Sequence, residues 1–249
     1  MITLALDTTT AGGGVALIRD GIVVAVGDGD TQRPHGVRLP GDVLTLLDRQ
    51  GMSIDDVDAF GVAAGPGGFT GLRVGLATIQ GFALVRRRPV VPVGSLEAMC
   101  RLVLATCPLG TGDVVGVWMD AHRGEVYSLL CRVADAIDPH ASRWPGAARC
   151  ALDVVDAATV GAAERVAARW RDGVIDGAFW IAGDGAIRYA TALAGLDGRL
   201  VPGTLNLAPM VGSMAEAAVE HGASGTAHRL TPVYIRRPDV ELARTRSGG

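Results

Sequence analysis

The sequence has 249 residues, of which 49% are hydrophobic and 20% are charged, enough apolar material for one or two packed cores. The formal net charge of −3 disfavours autonomous nucleic-acid binding, because that activity usually needs a clustered basic surface. All 23 basic residues are arginine, which excludes sites that need a lysine on a phosphate or in a Schiff base.

Membrane and metal sites also find little support. No apolar run approaches the ~20 residues that span a bilayer, and Asp7 interrupts the amino terminus too early for a signal peptide. We therefore expect no membrane segment and a cytoplasmic location. The four cysteines form no Cys-x-x-Cys pair, and the five histidines form no metal-binding pair, so we expect no metal ligands and no catalytic residues.

The first half of the chain alternates between strand and helix signals. The predicted strands are Thr3–Asp7, Gly12–Arg19, Ile22–Val26, Asp58–Ala64 and Val90–Val93. The predicted helices are Val37–Gln50, Thr70–Val85 and Ser95–Ala105. Asp20 and Gly21 favour a tight hairpin between the second and third strands, because Asp-Gly tolerates the positive φ angles of such turns. This alternation predicts an α/β fold.

The same order restarts in the second half. Its predicted strands are Val114–Asp120, Glu125–Val133 and Phe179–Ala182, and its predicted helices are Ala157–Trp170, Ile187–Ala194 and Val211–Glu220. Each half opens with a strand that ends in aspartate and later has a strand that ends in a glycine turn. We therefore predict two lobes, residues 1–108 and 109–249, with a boundary near Cys107–Gly112. Chance similarity between two α/β halves is the alternative.

Two polar turns have the composition of a phosphate cradle. Asp7, Thr8 and Thr9 follow a strand and precede a run of glycines, so hydroxyl and backbone N–H groups could face a phosphate. The second turn is Gly183-Asp184-Gly185. Either segment is equally compatible with an ordinary turn held by side-chain-to-backbone hydrogen bonds.

The segment Gly65–Gly75 is the most unusual in the chain. It joins a strand to a helix that is apolar almost all round and carries glycines at 71, 75 and 81. Each of these glycines costs ~1 kcal/mol relative to alanine inside a helix. Such a helix is either central core or covered by a partner, and the sequence leaves both readings open.

Six segments together resemble the TsaB family, also called YeaZ. They are Leu4–Thr9, Gly65–Gly75, Ser95–Ala98, Asp120–Tyr127, Gly183–Ala186 and Pro232–Arg236, in the family's order across almost the whole chain. The Gly-Pro-Gly-x-Phe-Thr-Gly-Leu-Arg block is the most specific of them. Gly68 stands where the family usually has serine, and His122 where it often has arginine.

The resemblance implies an α/β fold of two ribonuclease H-like lobes of the actin-like ATPase (ASKHA) type, in the wider glycoprotease-like group. It also implies a non-catalytic scaffold subunit that activates TsaD, with TsaE, in a cytoplasmic complex. That complex adds threonylcarbamoyl to the adenosine beside the anticodon of tRNAs that read codons starting with A. The subunit itself would need no cofactor and would meet tRNA only through the complex, where ATP or ADP and magnesium bind.

The resemblance further implies two sets of site residues. A weak, vestigial nucleotide site would comprise Asp7, Thr8, Thr9, Gly65, Gly67, Gly68, Gly183, Asp184 and Gly185. An interface for TsaD, or for a second copy of this chain when TsaD is absent, would comprise Val37, Leu39, Gly71, Arg73, Val74, Gly75, Thr78 and Phe82.

Two enzymatic functions compete with the scaffold role. One is an autonomous nucleotide-hydrolysing or kinase-like enzyme of the same superfamily, and the other is a protease. The sequence offers neither a nucleophile elbow nor a metal-binding histidine pair, and it has no phosphate lysine. We therefore expect a chain without catalytic activity of its own.

Overall fold

The computed structural model describes residues 1–30, 32–141, 149–172, 178–203 and 205–235. Its first sheet contains β1 (Ile2–Asp7), β2 (Gly14–Arg19), β3 (Ile22–Asp28), β4 (Ala59–Gly65) and β5 (Val90–Gly94), in the order β3-β2-β1-β4-β5. The strands β1, β2 and β3 pair antiparallel, whereas β1, β4 and β5 pair parallel.

A second sheet repeats this plan. It contains β6 (Val114–Asp120), β7 (Glu125–Ile137), β8 (Cys150–Ala162), β9 (Phe179–Ala182) and β10 (Gly198–Leu200), in the order β10-β9-β6-β7-β8. Again the first three strands pair antiparallel and the last two join them in parallel. The two mixed sheets confirm the predicted α/β fold class.

Six α-helices flank the sheets in the described residues. They are α1 (His35–Asp48), α2 (Phe69–Arg86), α3 (Ser95–Thr106), α4 (Ala163–Asp172), α5 (Asp184–Arg188) and α6 (Ala208–Glu220). Short 3-10 helices lie at Ile54–Asp56, Ala190–Leu193 and Ala227–Arg229. None of the helices in the described part of the chain has the length and apolar character needed to cross a bilayer.

The apolar pattern of the strands explains the layering. Leu4 and Leu6 of β1 face α1 and α2, whereas Ala5 faces the core that contains α3 and α6. That second core also contains Val115 and Val117 of β6, so α3 and α6 lie between the two sheets. The outer face of the second sheet packs against α4.

Helix α6 approaches the first sheet closely although it comes late in the chain. A Cβ on Gly212 would lie 1.9 Å from Ile18 Cδ1, and a Cβ on Gly61 of β4 would lie 2.8 Å from Ala215 Cβ. Small residues on both sides thus allow the helix to lie directly on the sheet. The division into lobes near residue 108 stays a prediction.

One predicted helix is wrong in its first half. Residues 157–162 of the predicted helix Ala157–Trp170 belong to β8, and the helix begins only at Ala163. Alanine favours helix in isolation, but pairing with β7 from Glu125 onward overrides that preference.

Candidate functional site

The loop that follows β1 is held by its own hydrogen bonds. Asp7 is fully buried. It accepts from the Thr9 backbone N–H at 2.8 Å, from the Thr9 hydroxyl at 2.6 Å and from the Thr10 hydroxyl at 2.6 Å. These bonds use three of the roughly four acceptor positions of a carboxylate. The hydroxyls of Thr9 and Thr10 therefore point back at Asp7 instead of outward.

The glycine-rich segment packs against this loop. A Cβ on Gly67 would lie 2.5 Å from Thr9 Cβ, and a Cβ on Gly71 would lie 2.3 Å from the carbonyl oxygen of Thr8. A Cβ on Gly75 would lie 2.2 Å from Thr8 Oγ1. The structure thus brings the two motifs together, because β1 and β4 are neighbouring parallel strands that end at the same edge.

Those distances correct the role that we predicted for two glycines. Gly71 and Gly75 face Thr8 of the same chain, so the absence of a side chain admits the chain's own loop and not a partner helix. Gly75 is also buried. By contrast, Gly68 is exposed and would have no neighbour within 4 Å of a Cβ.

Three polar residues of α1, His35, Arg38 and Asp42, form a cluster that contacts the loop after β1 through Arg38. The guanidinium of Arg38 pairs with Asp42, donates to the carbonyl oxygen of Gly12 and lies 3.0 Å from His35 Nδ1. Arg38 is only 3% exposed. Burial, and then the charge of Arg38, lower the pKa of His35 below its usual 6.5, so the ring is neutral at pH 7.

His35, Arg38 and Asp42 are not among the site residues that the sequence predicts. Their spacing places them on neighbouring turns of one helix, and an i, i+4 Arg–Asp pair is a recognisable signal. The missing information was the position of Gly12, whose carbonyl oxygen only the tertiary fold brings to Arg38.

The late motif covers the glycine-rich turn. The backbone N–H of Val233 donates to the carbonyl oxygen of Ala64 at 2.7 Å. Tyr234 stacks on Phe69 with ring centroids 5.7 Å apart, and its hydroxyl oxygen accepts from Arg73 Nε at 3.3 Å. The segment therefore lies over the start of α2. Arg236, the last residue of this motif, lies outside the described residues.

The second-half turn packs against the end of β6. Asp184 Oδ1 accepts from the backbone N–H of Asp120 at 3.0 Å and of Gly185 at 2.9 Å. Gly183 has φ +106°, and a Cβ there would lie 2.1 Å from the carbonyl oxygen of Trp118. Asp120 accepts in turn from the Tyr189 hydroxyl at 2.9 Å. The Asp120 end of the segment Asp120–Tyr127 thus contacts the turn Gly183–Ala186 through internal hydrogen bonds.

Helices α1 and α2 pack side by side on the first sheet and share an outer surface. We call this surface the α1/α2 face; its apolar members are Val37 and Leu44 of α1 and Ala77, Leu84 and Val85 of α2. Val37 is 69% exposed, Leu44 is 54% exposed and Val85 is 74% exposed. The face is therefore an apolar surface that neighbouring side chains leave open to solvent.

The residues predicted for the interface differ in how exposed their side chains are. Val37 and Arg73 are exposed, and Val74, Thr78 and Phe82 are half-buried between the helices and the sheet. For these five the interface role stays a prediction. Leu39 is fully buried in the core beneath α1, so its assignment to the interface is wrong. The helical period places it two residues from Val37 and therefore on the opposite side.

For Gly183, Asp184 and Gly185 the role in nucleotide binding stays a prediction. In the described parts of the chain, no group of three or more histidine, cysteine, aspartate or glutamate side chains is arranged to hold a metal ion.

Comparison with known protein families and curated proteins gives consistent results. The family model described as TsaD, tRNA N6-adenosine threonylcarbamoyltransferase, matches residues 29–143. The tRNA threonylcarbamoyladenosine biosynthesis protein TsaB of Haemophilus influenzae is 36% identical over 124 residues, covering 50% of this chain and 51% of that protein. TsaB of Escherichia coli K12 is 37% identical over 127 residues, covering 51% and 53%. The match thus spans about half the length of these curated relatives.

Solved structures extend the similarity to nearly the whole chain. YeaZ from Pseudomonas aeruginosa matches with a TM-score of 0.73 and 27% identity, covering 94% of this chain and 99% of that one. A protein from the same organism, described as uncharacterised with similarity to peptidase YEAZ, matches with a TM-score of 0.77 and 28% identity over the same shares.

Proposed function

We propose that this chain, which belongs to the TsaB (YeaZ) family, is a non-catalytic, partner-binding subunit of a machinery that makes threonylcarbamoyladenosine in tRNA. The names of the curated relatives support the pathway, and the matching TsaD family model supports a connection with the transferase itself. The role within that machinery rests on the geometry of the chain.

The observation that carries the proposal is the α1/α2 face. It exposes Val37, Leu44, Leu84 and Val85 on two adjacent helices whose other sides are anchored in the core. Covering such side chains contributes about 25 cal/mol for each Å² of apolar surface removed from water. The family resemblance implies that the partner also presents helices, which would pack against α1 and α2 as a four-helix contact.

The partner that we propose is a TsaD homologue, with TsaE as a further component. The same face would pair two copies of this chain when TsaD is absent, because an exposed apolar surface can cover itself about a two-fold axis. The homodimer and the complex with TsaD would then compete for one surface, and adding TsaD should dissociate the homodimer.

Neither enzymatic alternative has a supporting observation in the described residues. A kinase-like hydrolase would need Asp7 to hold magnesium through water and the following hydroxyls to meet a phosphate. Instead, the Asp7 carboxylate accepts three hydrogen bonds from Thr9 and Thr10. A protease would need an activated nucleophile. Burial raises the pKa of the Cys100 thiol, which disfavours the reactive thiolate form.

A reconstituted modification assay tests the proposal. Purified TsaD and TsaE homologues, threonylcarbamoyl adenylate and tRNA are incubated with and without this chain, and the modified nucleoside is quantified. We expect product only when this chain is present, and none from this chain alone. Equal product without the chain, or turnover by the isolated chain, would contradict the proposed role.

A further inference from the structure

A cavity of about 670 Å³ lies between the end of α2 and the segment Ala223–His228, away from the loops described above. Its volume is within the range of ~300–1,000 Å³ that is typical of small-molecule sites. The lining is mostly apolar, with Leu84, Pro89 and Ala227 contributing carbon surface. A few polar groups converge on that surface, as they do in ligand sites.

The walls of this cavity are held in place by hydrogen bonds. The backbone N–H of Val90 donates to the carbonyl oxygen of Gly225 at 2.8 Å, and Gln80 Nε2 donates to the carbonyl oxygen of Ala227 at 3.0 Å. Gly225 approaches the β5 strand so closely that a Cβ there would lie 2.1 Å from the Val90 carbonyl oxygen. The segment is thus fastened both to α2 and to the edge strand of the first sheet, which gives the cavity a preformed shape.

The charge of the lining has one sign. Arg87 and Arg88 contribute positive charge, and the described lining residues include no aspartate or glutamate. Within the described part of the chain, neither the Arg87 nor the Arg88 guanidinium pairs with a carboxylate. Two arginines in the lining of one cavity offer a site for an oxyanion, which arginine binds through paired N–H donors.

The backbone conformation of Arg87 disfavours any residue other than glycine. Arg87 is the C-terminal cap of α2 and has the left-handed conformation, with φ 52° and ψ 37°. Glycine is the usual residue there because a Cβ is disfavoured in this region. An arginine at this position therefore costs conformational energy relative to glycine.

We propose that this cavity binds a small organic oxyanion, with the phosphate or carboxylate group between Arg87 and Arg88 and an apolar body against Leu84 and Pro89. The site is separate from the proposed nucleotide loops and does not depend on the subunit role. Leu84 also belongs to the α1/α2 face, so the cavity borders that face.

Titration of the isolated chain with simple probes tests this site. Phenyl phosphate and phenylacetate each carry an oxyanion and an apolar body, whereas inorganic phosphate and benzyl alcohol each carry one of the two. Binding is followed by backbone amide shifts in NMR spectra. We expect at least one of the two-part probes to saturate the shifts of Arg88 and Ser224–His228, at least tenfold more tightly than either one-part probe. The tighter two-part probe identifies the anion as phosphate or carboxylate.

Two variants and a matched control complete the test. Arg87→Gly removes one cation and relieves the left-handed arginine, so it should weaken probe binding at least tenfold, or ~1.4 kcal/mol, while the melting temperature stays equal or rises. Arg88→Ser should weaken binding similarly. Arg165→Ser, on the exposed side of α4, should change nothing. The proposal is overturned if no probe saturates, if the shifts lie elsewhere, or if the folded Arg87→Gly and Arg88→Ser variants bind like the wild type.

Discussion

Replacing Gly75 with alanine tests how helix α2 is seated. The new Cβ would lie 2.2 Å from Thr8 Oγ1 and 3.3 Å from both Cβ and Cγ2 of Thr8. Thr8 is 1% exposed, so it cannot simply turn into solvent. Overpacking of this kind costs about 1–3 kcal/mol, whereas alanine in place of glycine inside a helix contributes about 1 kcal/mol. We expect a net loss of about 0–2 kcal/mol.

Gly81 of the same helix supplies the control. It is exposed, and a Cβ there would meet nothing within 4 Å, so Gly81→Ala should stabilise the protein by up to about 1 kcal/mol. The two variants should therefore differ by about 1–3 kcal/mol in the free energy of unfolding, measured by urea denaturation. Adding Thr8→Ala to Gly75→Ala should recover part of the loss. If Gly75→Ala is as stable as Gly81→Ala, the close approach of α2 to the Thr8 loop is wrong.

Three further expectations follow from the site. Calorimetry of the isolated chain with ATP and magnesium should give weak binding or none, because the Asp7 carboxylate already accepts three hydrogen bonds from Thr9 and Thr10; a submicromolar dissociation constant, ~8 kcal/mol or more, would refute this. The isolated chain should neither form the modified nucleoside nor cleave proteins, and turnover abolished by one substitution would overturn that expectation. Folding lowers the pKa of His35, so the unfolded chain binds a proton at this residue more readily than the folded chain does. The contribution of His35 to the free energy of unfolding is therefore present above about pH 6.5 and is lost as the pH falls towards the pKa of the folded state. Unfolding free energies measured from pH 7.5 to 5 should therefore fall less steeply for His35→Gln than for the wild type, and equal slopes would refute this assignment.

Strand and helix order in this protein could be predicted because the local signals agree with the final packing. The alternation in the first half predicts β1, β4 and β5 and the helices between them. The region 157–162 shows the limit of that reasoning. Its alanines favour helix locally, yet they extend the long strand β8 because β7 lies beside them with matching register. Only the partner strand supplies that information.

The glycines of α2 show a second limit. The sequence correctly indicates that Gly71 and Gly75 make room for a close neighbour, but it cannot tell which neighbour. The structure places the Thr8 loop there. The interface assignment of Leu39 was wrong for a related reason. An apolar residue in a surface helix fits a core position and an interface position equally well until the structure shows which way its side chain faces.

The binding of a TsaD homologue by the α1/α2 face is the most direct test of the proposed function. Ala77 lies exposed near the middle of α2, so Ala77→Arg places a charge on the face without entering the core. Val154→Arg, at a position that is 61% exposed on β8, is the matched control. Titration of labelled TsaD should show wild-type affinity for the control. For Ala77→Arg it should show at least a tenfold loss, equivalent to ~1.4 kcal/mol, with an unchanged melting temperature. Wild-type affinity of a folded Ala77→Arg variant would contradict the account.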